Sequence, residues 1–311
     1  MRSRKVGAMS EEVSAQVTVG PWSPLRIAIY RSIWIAALVS NVGTFMHIVA
    51  AGWAMTSLTD SPTLVGLVQT SWAVPGFVLA LHAGAFADMV ERRRLIAITQ
   101  IAALVIAVVL GVLELTGNLS VFALLMGTFL ESVALTIAAP AFMALTPQLV
   151  GQRQLPQALG LDSASRNIAQ TVGPALAGLI IAFSSAGAVF ILNAVTFVGI
   201  LIVVRRLPLV TSHVDNNAKI NQVIKAGILF VVRKPQLRNI AIRMALVLGA
   251  TASLMSVLPV VAKDSLGVVA SGFGVLAGAI GVGSVIAVWL LPVLRKMFDA
   301  EWLAVLACFV W

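Results

Sequence analysis

LHAGAFADMVERRRLIAITQIAALVIAVVLGVLEL, residues 81–115, decides the fold. From Leu95 to Leu115 the run is apolar apart from Thr99, Gln100 and Glu114. It has the length of about 20 residues that a helix needs to cross the hydrocarbon core of a bilayer. Directly before it stand Arg92, Arg93 and Arg94, and before those a second apolar run over 64–86. A basic cluster clamped between two span-length apolar runs is the junction of two membrane helices, on the face of the membrane where Lys and Arg accumulate.

The same pattern extends along the chain. Stretches 32–54, 64–86, 95–115, 120–143, 158–183, 188–205, 240–262 and 271–294 each read as a spanning helix, and a ninth begins near Trp302. The expectation is an all-α membrane protein of about eight complete transmembrane helices plus part of a ninth. Connections 55–63, 116–119, 184–187 and 263–270 hold one basic residue between them, Lys263. The alternate set, comprising the N-terminal tail, 87–94, 144–157, 206–239 and 295–301, carries the other Lys and Arg residues of the connections, among them Arg31, Arg92, Arg153, Arg206, Arg233 and Arg295. Cytoplasmic loops carry the Lys/Arg excess, so a multi-pass protein of the cell inner (plasma) membrane with a cytoplasmic N-terminus is expected. Residues 1–31 read as a cytoplasmic tail; residues 6–24 are polar and broken by Pro21 and Pro24, which does not fit a cleavable signal peptide.

Composition excludes several function classes. Hydrophobic residues are 59% of the 311 and charged residues 11%, against about 25% charged in soluble domains. The net charge of +9 is spread over loop clusters, which argues for topology and against nucleic acid. One Cys and three scattered His leave no disulfide and no metal-ligand spacing. No phosphate-binding glycine loop and no Ser/His/Asp, Cys/His or HExxH arrangement is present. Neither cofactor, metal nor catalysis is expected; the expected partners are the lipid bilayer, a small-molecule substrate and protons.

The domain division reads as a tail (1–31), an N-terminal six-helix bundle (32–205), a cytoplasmic linker (206–239) and a partial second bundle (240–311). Within the linker, Ile220, Val223, Ile224, Gly227, Ile228 and Val231 fall at helical spacing while Lys219, Lys225, Arg233 and Lys234 lie elsewhere. That is either an amphipathic helix on the membrane surface or a packed cytosolic linker helix. A faint repeat at an offset of 212 pairs Leu25 with Leu237, Arg26 with Arg238 and Arg31 with Arg243, in keeping with two bundles of like orientation.

Two motifs point to a family. GAFADMVERR places Gly84, Ala87, Asp88, Arg92 and Arg93 where the major facilitator superfamily has its G-x-L-A-D-R-x-G-R-R loop, with Met89 and Glu91 departing from it. In the fifth span, GPALAG places Gly173, Pro174 and Gly178 where that family has the G-P-x-x-G-G signature of its antiporters, Ala177 replacing a glycine. An ordinary basic loop and the common Pro and Gly of membrane helices are the plainer readings. Over residues 25–205 the chain resembles the branch that contains the enterobactin exporter and the transmembrane secretion effectors. The resemblance implies a twelve-span helical bundle, of which this chain would be a C-terminally truncated form. It also implies an inner gate at Gly84, Asp88, Arg92 and Arg93.

Ionisable residues inside the spans are expensive and mark transport paths by default. Glu131, mid-way along the fourth span, is a candidate proton carrier. Asp162 and Arg166, one turn apart in the fifth, pair with each other, or Arg166 reaches Glu131, or Asp162 meets Arg92 or Arg93 as an inner gate. Asn41, His47, Gln69, Trp72 and Asn167 are candidates for a cavity lining. The function expected is secondary active export of small organic molecules, by proton antiport; the alternative is a non-transporting membrane protein or truncated assembly partner. A chain ending in the ninth span is expected to insert without transporting, with 32–205 compact and 240–311 looser.

Overall fold

The computed structural model describes residues 20–207 and, beyond them, residues 233–240, 258–262 and separate positions as far as Trp302. The tail to residue 19, linker residues 208–232 and the seventh, eighth and ninth spans as continuous segments therefore lie outside the described residues, and so does the expected loosening of 240–311.

A 3-10 turn over Ser23–Arg26 leads into six long helices: α1 Ala28–Leu58, α2 Pro62–Met89, α3 Arg92–Leu115, α4 Val121–Val150, α5 Leu155–Phe183 and α6 Ala186–Val204. No strand occurs among the described residues. The helix starts are written locally. Ser120 and Ser185 cap α4 and α6, their hydroxyls accepting from the amides of Ala123 and Ala188 at 3.2 and 3.3 Å. These bonds satisfy amides that a helix N-terminus leaves without partners. Gly151, at φ 71°, stops α4 in a conformation that side chains disfavour.

Two boundaries differ from the sequence expectation for a physical reason. α4 continues through Pro147 to Val150, past the expected end at 143. Leu145, Thr146 and Val150 are buried there, so tertiary packing outweighs the lost amide donor. α2 runs to Met89, so Asp88 belongs to a helix's last turn and not to a loop.

Both faces of α3 are mainly apolar. On α3, Ile98, Ile101, Val105, Val109 and Val112 are exposed at helical spacing, while Ile96, Ala103, Ala107 and Leu110 are buried. Such an outer face makes sense against lipid, since an aqueous surface rarely carries so continuous an apolar stripe. Five of the six described helices are long and apolar enough to cross a membrane. The exception is α5, whose first half carries Gln157, Asp162, Arg166, Asn167 and Gln170.

The main packings are α1 on α5 and α6, α2 on α4, α3 on α6, and α3 on α4. Small residues set the closest of these. A methyl group added at Gly173 of α5 would come 2.7 Å from Phe45 Cβ and 3.0 Å from the Val42 carbonyl of α1. Gly173, Pro174, Ala177 and Gly178 are all buried. The fifth-helix motif is thus the surface on which α1 lies, the close backbone approach that drives helix association in lipid.

Candidate transport cavity

The arginine-bearing helix ends, with Arg31, Arg92–Arg94, Arg153, Arg205 and Arg206, share one end of the bundle. Three side chains knit α1 to α5 there. The Tyr30 hydroxyl lies 3.1 Å from both the Ala158 carbonyl and Asp162 Oδ1, and Trp34 Nε1 donates to the Leu161 carbonyl at 2.9 Å. Thr146 of α4 donates to Asp162 Oδ2 at 3.1 Å. Asp162 therefore joins three helices.

The two arginines of the loop motif also tie helices together. Arg92 Nη1 reaches the Ala144 carbonyl of α4 at 3.5 Å, and Arg93 Nη1 the Leu207 carbonyl beyond α6 at 3.2 Å. Cations near helix C-termini are favourably placed. Neither arginine meets Asp162, whose partners are the two hydroxyls. Gly84 is half-buried, and a methyl group added there would meet nothing within 4 Å. The Asp88 side chain lies outside the described residues.

Above these ties lies a cavity of about 270 Å³ between α1, α4 and α5, bordered also by Trp72 of α2, Gln100 of α3 and Ile200 of α6. α1 contributes Ser40, Asn41 and Thr44, and α5 contributes Asp162, Ser165 and Arg166. Residues three and four apart share a helix face, which is why each set points into one space. Asn41 Nδ2 donates to Ser165 Oγ across the α1–α5 seam at 3.4 Å. Trp34, Phe142 and Met143 supply apolar wall. Of the residues expected to line a cavity, Asn41, Trp72, Asp162 and Arg166 do. Gln69 and Asn167 are half-buried outside it.

Glu131 and His47 lie deeper. Both are wholly buried, with His47 Nδ1 3.2 Å from Glu131 Oε2. Asn193 of α6, also wholly buried, donates from Nδ2 to Glu131 Oε1 at 2.8 Å. The His47 ring lies 4.8 Å from that of Phe190 and 6.4 Å from that of Trp72. The carboxylate–imidazole contact is close but off the line of a hydrogen bond, so His47 Nδ1 and Nε2 and Glu131 Oε2 have no hydrogen-bond partner. Glu131 is thus paired with His47 and Asn193, and not with Arg166, which makes no ion pair or hydrogen bond among the described residues. Thr44 and Leu135 of the cavity wall sit one turn from His47 and Glu131, so the pair lies just behind the wall.

Gly43 makes the arrangement possible. A methyl there would fall 2.6 Å from Asn193 Oδ1 and 2.7 Å from Thr196 Oγ1. Thr196 in turn donates to the Asn193 carbonyl at 2.7 Å. The glycine lets α6 bring Asn193 up to the carboxylate of α4.

Sequence reasoning missed Tyr30, Trp34, Gln100 and Thr146. Tyr30 and Trp34 sit near the start of α1, where an interfacial role is the ordinary reading. No signal short of the helix packing singles them out.

A family model described as "Transmembrane secretion effector" matches residues 19–311. The chain is similar to the staphyloferrin A transporter of Staphylococcus aureus, 23% identical over 256 residues, which cover 82% of this chain and 64% of that protein. It is similar to the enterobactin exporter EntS of Shigella boydii, 25% identical over 258 residues, 83% of this chain and 61% of that protein. The multidrug efflux pump Tap of Mycolicibacterium fortuitum is 28% identical over 225 residues, 68% of this chain and 54% of its own length. The chain thus matches less than two thirds of the length of each of these relatives.

Proposed function

Because the chain belongs to the transmembrane secretion effector family of major facilitator proteins, we propose that it is a secondary exporter of small organic molecules, driven by proton antiport across the cell inner membrane. The observation that carries this reading is the placement of the buried Glu131–His47 pair one helical turn behind the wall of a cavity that holds several polar side chains in a mainly apolar lining. A transporter of this kind needs a place for substrate and a place for the coupling ion that sense each other.

The pair has the chemistry for the second place. With one exchangeable proton it is neutral overall, whether the proton makes a carboxylic acid beside imidazole or stays on an imidazolium beside carboxylate. Without that proton it holds a net negative charge in a setting that makes isolated charge expensive. The Asn193 amide supports the carboxylate in either state. Trp72 lines the cavity, and its ring lies 6.4 Å from that of His47. A shift of α2 against α1 and α4 would open a path for the proton, and repacking between two discrete arrangements is how such bundles alternate access. In this reading Gly84 and Asp88, with the ties made by Arg92 and Arg93, hold the cytoplasmic end closed as an inner gate.

The test is flux from purified protein in proteoliposomes, with and without an imposed pH gradient. On this reading, which departs from the expectation of insertion without transport, uptake or release of an amphiphilic dye that rises with the gradient and collapses with a protonophore is expected. Flux equal to that of protein-free liposomes under both conditions would leave a non-transporting membrane protein as the better account.

A further inference from the structure

The cavity's chemistry narrows the ligand. Its only charged lining residues among those described are Asp162 and Arg166. They are not equally available. Each Asp162 oxygen already accepts from a hydroxyl, Tyr30 at Oδ1 and Thr146 at Oδ2. Arg166 is exposed within the space and spends none of its donors on an ion pair or hydrogen bond among the described residues. Asp162 is close enough for the two charges to act on each other, but not to close the pair. Five N–H donors in a planar fork are therefore left for a ligand, and that fork matches a carboxylate or a similar planar acid.

Around Arg166 the wall is aromatic and apolar, with Trp34, Trp72 and Phe142. The volume of about 270 Å³ falls just under the span of about 300–1,000 Å³ usual for small-molecule sites.

We propose that the cavity binds a small anionic amphiphile, with its acid group on the Arg166 guanidinium and its apolar or aromatic part against Trp34 and Trp72. This rests on the reading of the cavity as the transport site. An inside-negative membrane potential favours outward movement of such an ion, which suits an exporter.

Three probes of one shape and different charge test it: 2-naphthoate, 2-naphthylmethanol and 2-naphthylmethylammonium. Binding to the purified 311-residue protein in neutral detergent is read from tryptophan fluorescence. Naphthoate is expected to bind about tenfold more tightly than the alcohol, in keeping with a charge-assisted hydrogen bond. Arg166→Gln should erase that preference with the alcohol's affinity unchanged, and Arg166→Lys should keep part of it. Equal affinity of all three probes, tightest binding of the ammonium, or a preference that survives Arg166→Gln would overturn the proposal. Anionic lipid carries related chemistry, so phosphatidylglycerol is added as a competitor. Failure to displace naphthoate supports a free small molecule, and displacement in proportion to the lipid overturns it. Arg166-dependent binding without flux would remove the exporter reading alone; flux without charge preference would remove this one alone.

Discussion

His47 Nδ1 and Glu131 Oε2 stand 3.2 Å apart, on α1 and α4, with neither side chain open to solvent. They are far apart along the chain, so only the packing of α1 against α4 makes them partners. A carboxyl and an imidazole at this distance feel each other's charge. Among the described residues no other titratable side chain forms an ion pair with either of the two; Asn193, Trp72 and Phe190 are among their neighbours.

Glu131→Gln keeps the shape and the bond from Asn193 but removes the exchangeable proton. Flux driven by a pH gradient should be lost, while exchange of labelled for unlabelled substrate at equal pH persists. Parallel measurement of both modes in proteoliposomes checks it. Loss of both modes would make Glu131 a structural residue, and survival of both would remove it from coupling.

Gly43→Ala puts a methyl group where Asn193 Oδ1 and Thr196 Oγ1 now lie. Overpacking of this kind costs about 1–3 kcal/mol. A lower unfolding midpoint in detergent is expected, together with weaker gradient-driven flux because Asn193 leaves the carboxylate. Gly43→Ala with unchanged melting and flux would show that α6 gives way freely at this point.

Asp88→Asn, in the last turn of α2, should cut transport while membrane insertion stays intact if the proposed inner gate holds through helix-end and arginine contacts. Membrane fractionation and flux on the same preparation separate the two effects. Unchanged flux would take Asp88 out of the mechanism.

Topology follows from the alternation of Lys and Arg. In a Cys308→Ser background, Ser212→Cys should resist a membrane-impermeant maleimide added to intact cells and react once the cells are opened. Ready labelling from outside would invert the orientation.

The sequence by itself determined the helices that carry this protein. Apolar runs of span length, broken by basic clusters, leave helices as the one way to satisfy every backbone group in lipid, and 95–115 required no neighbour to be read. It also marked which residues were expensive: Glu131, Asp162 and Arg166 have no cheap place in an apolar helix. What it could not determine was who meets whom. Helical periodicity gives the face of a residue on its own helix, and says nothing of which helix lies opposite. Only the tertiary structure paired Glu131 with His47 and Asn193, handed Asp162 to Tyr30 and Thr146, and left Arg166 unpaired in the cavity. The physical reason is that those contacts depend on how closely backbones approach at Gly43 and Gly173, a property of two helices together and of neither alone.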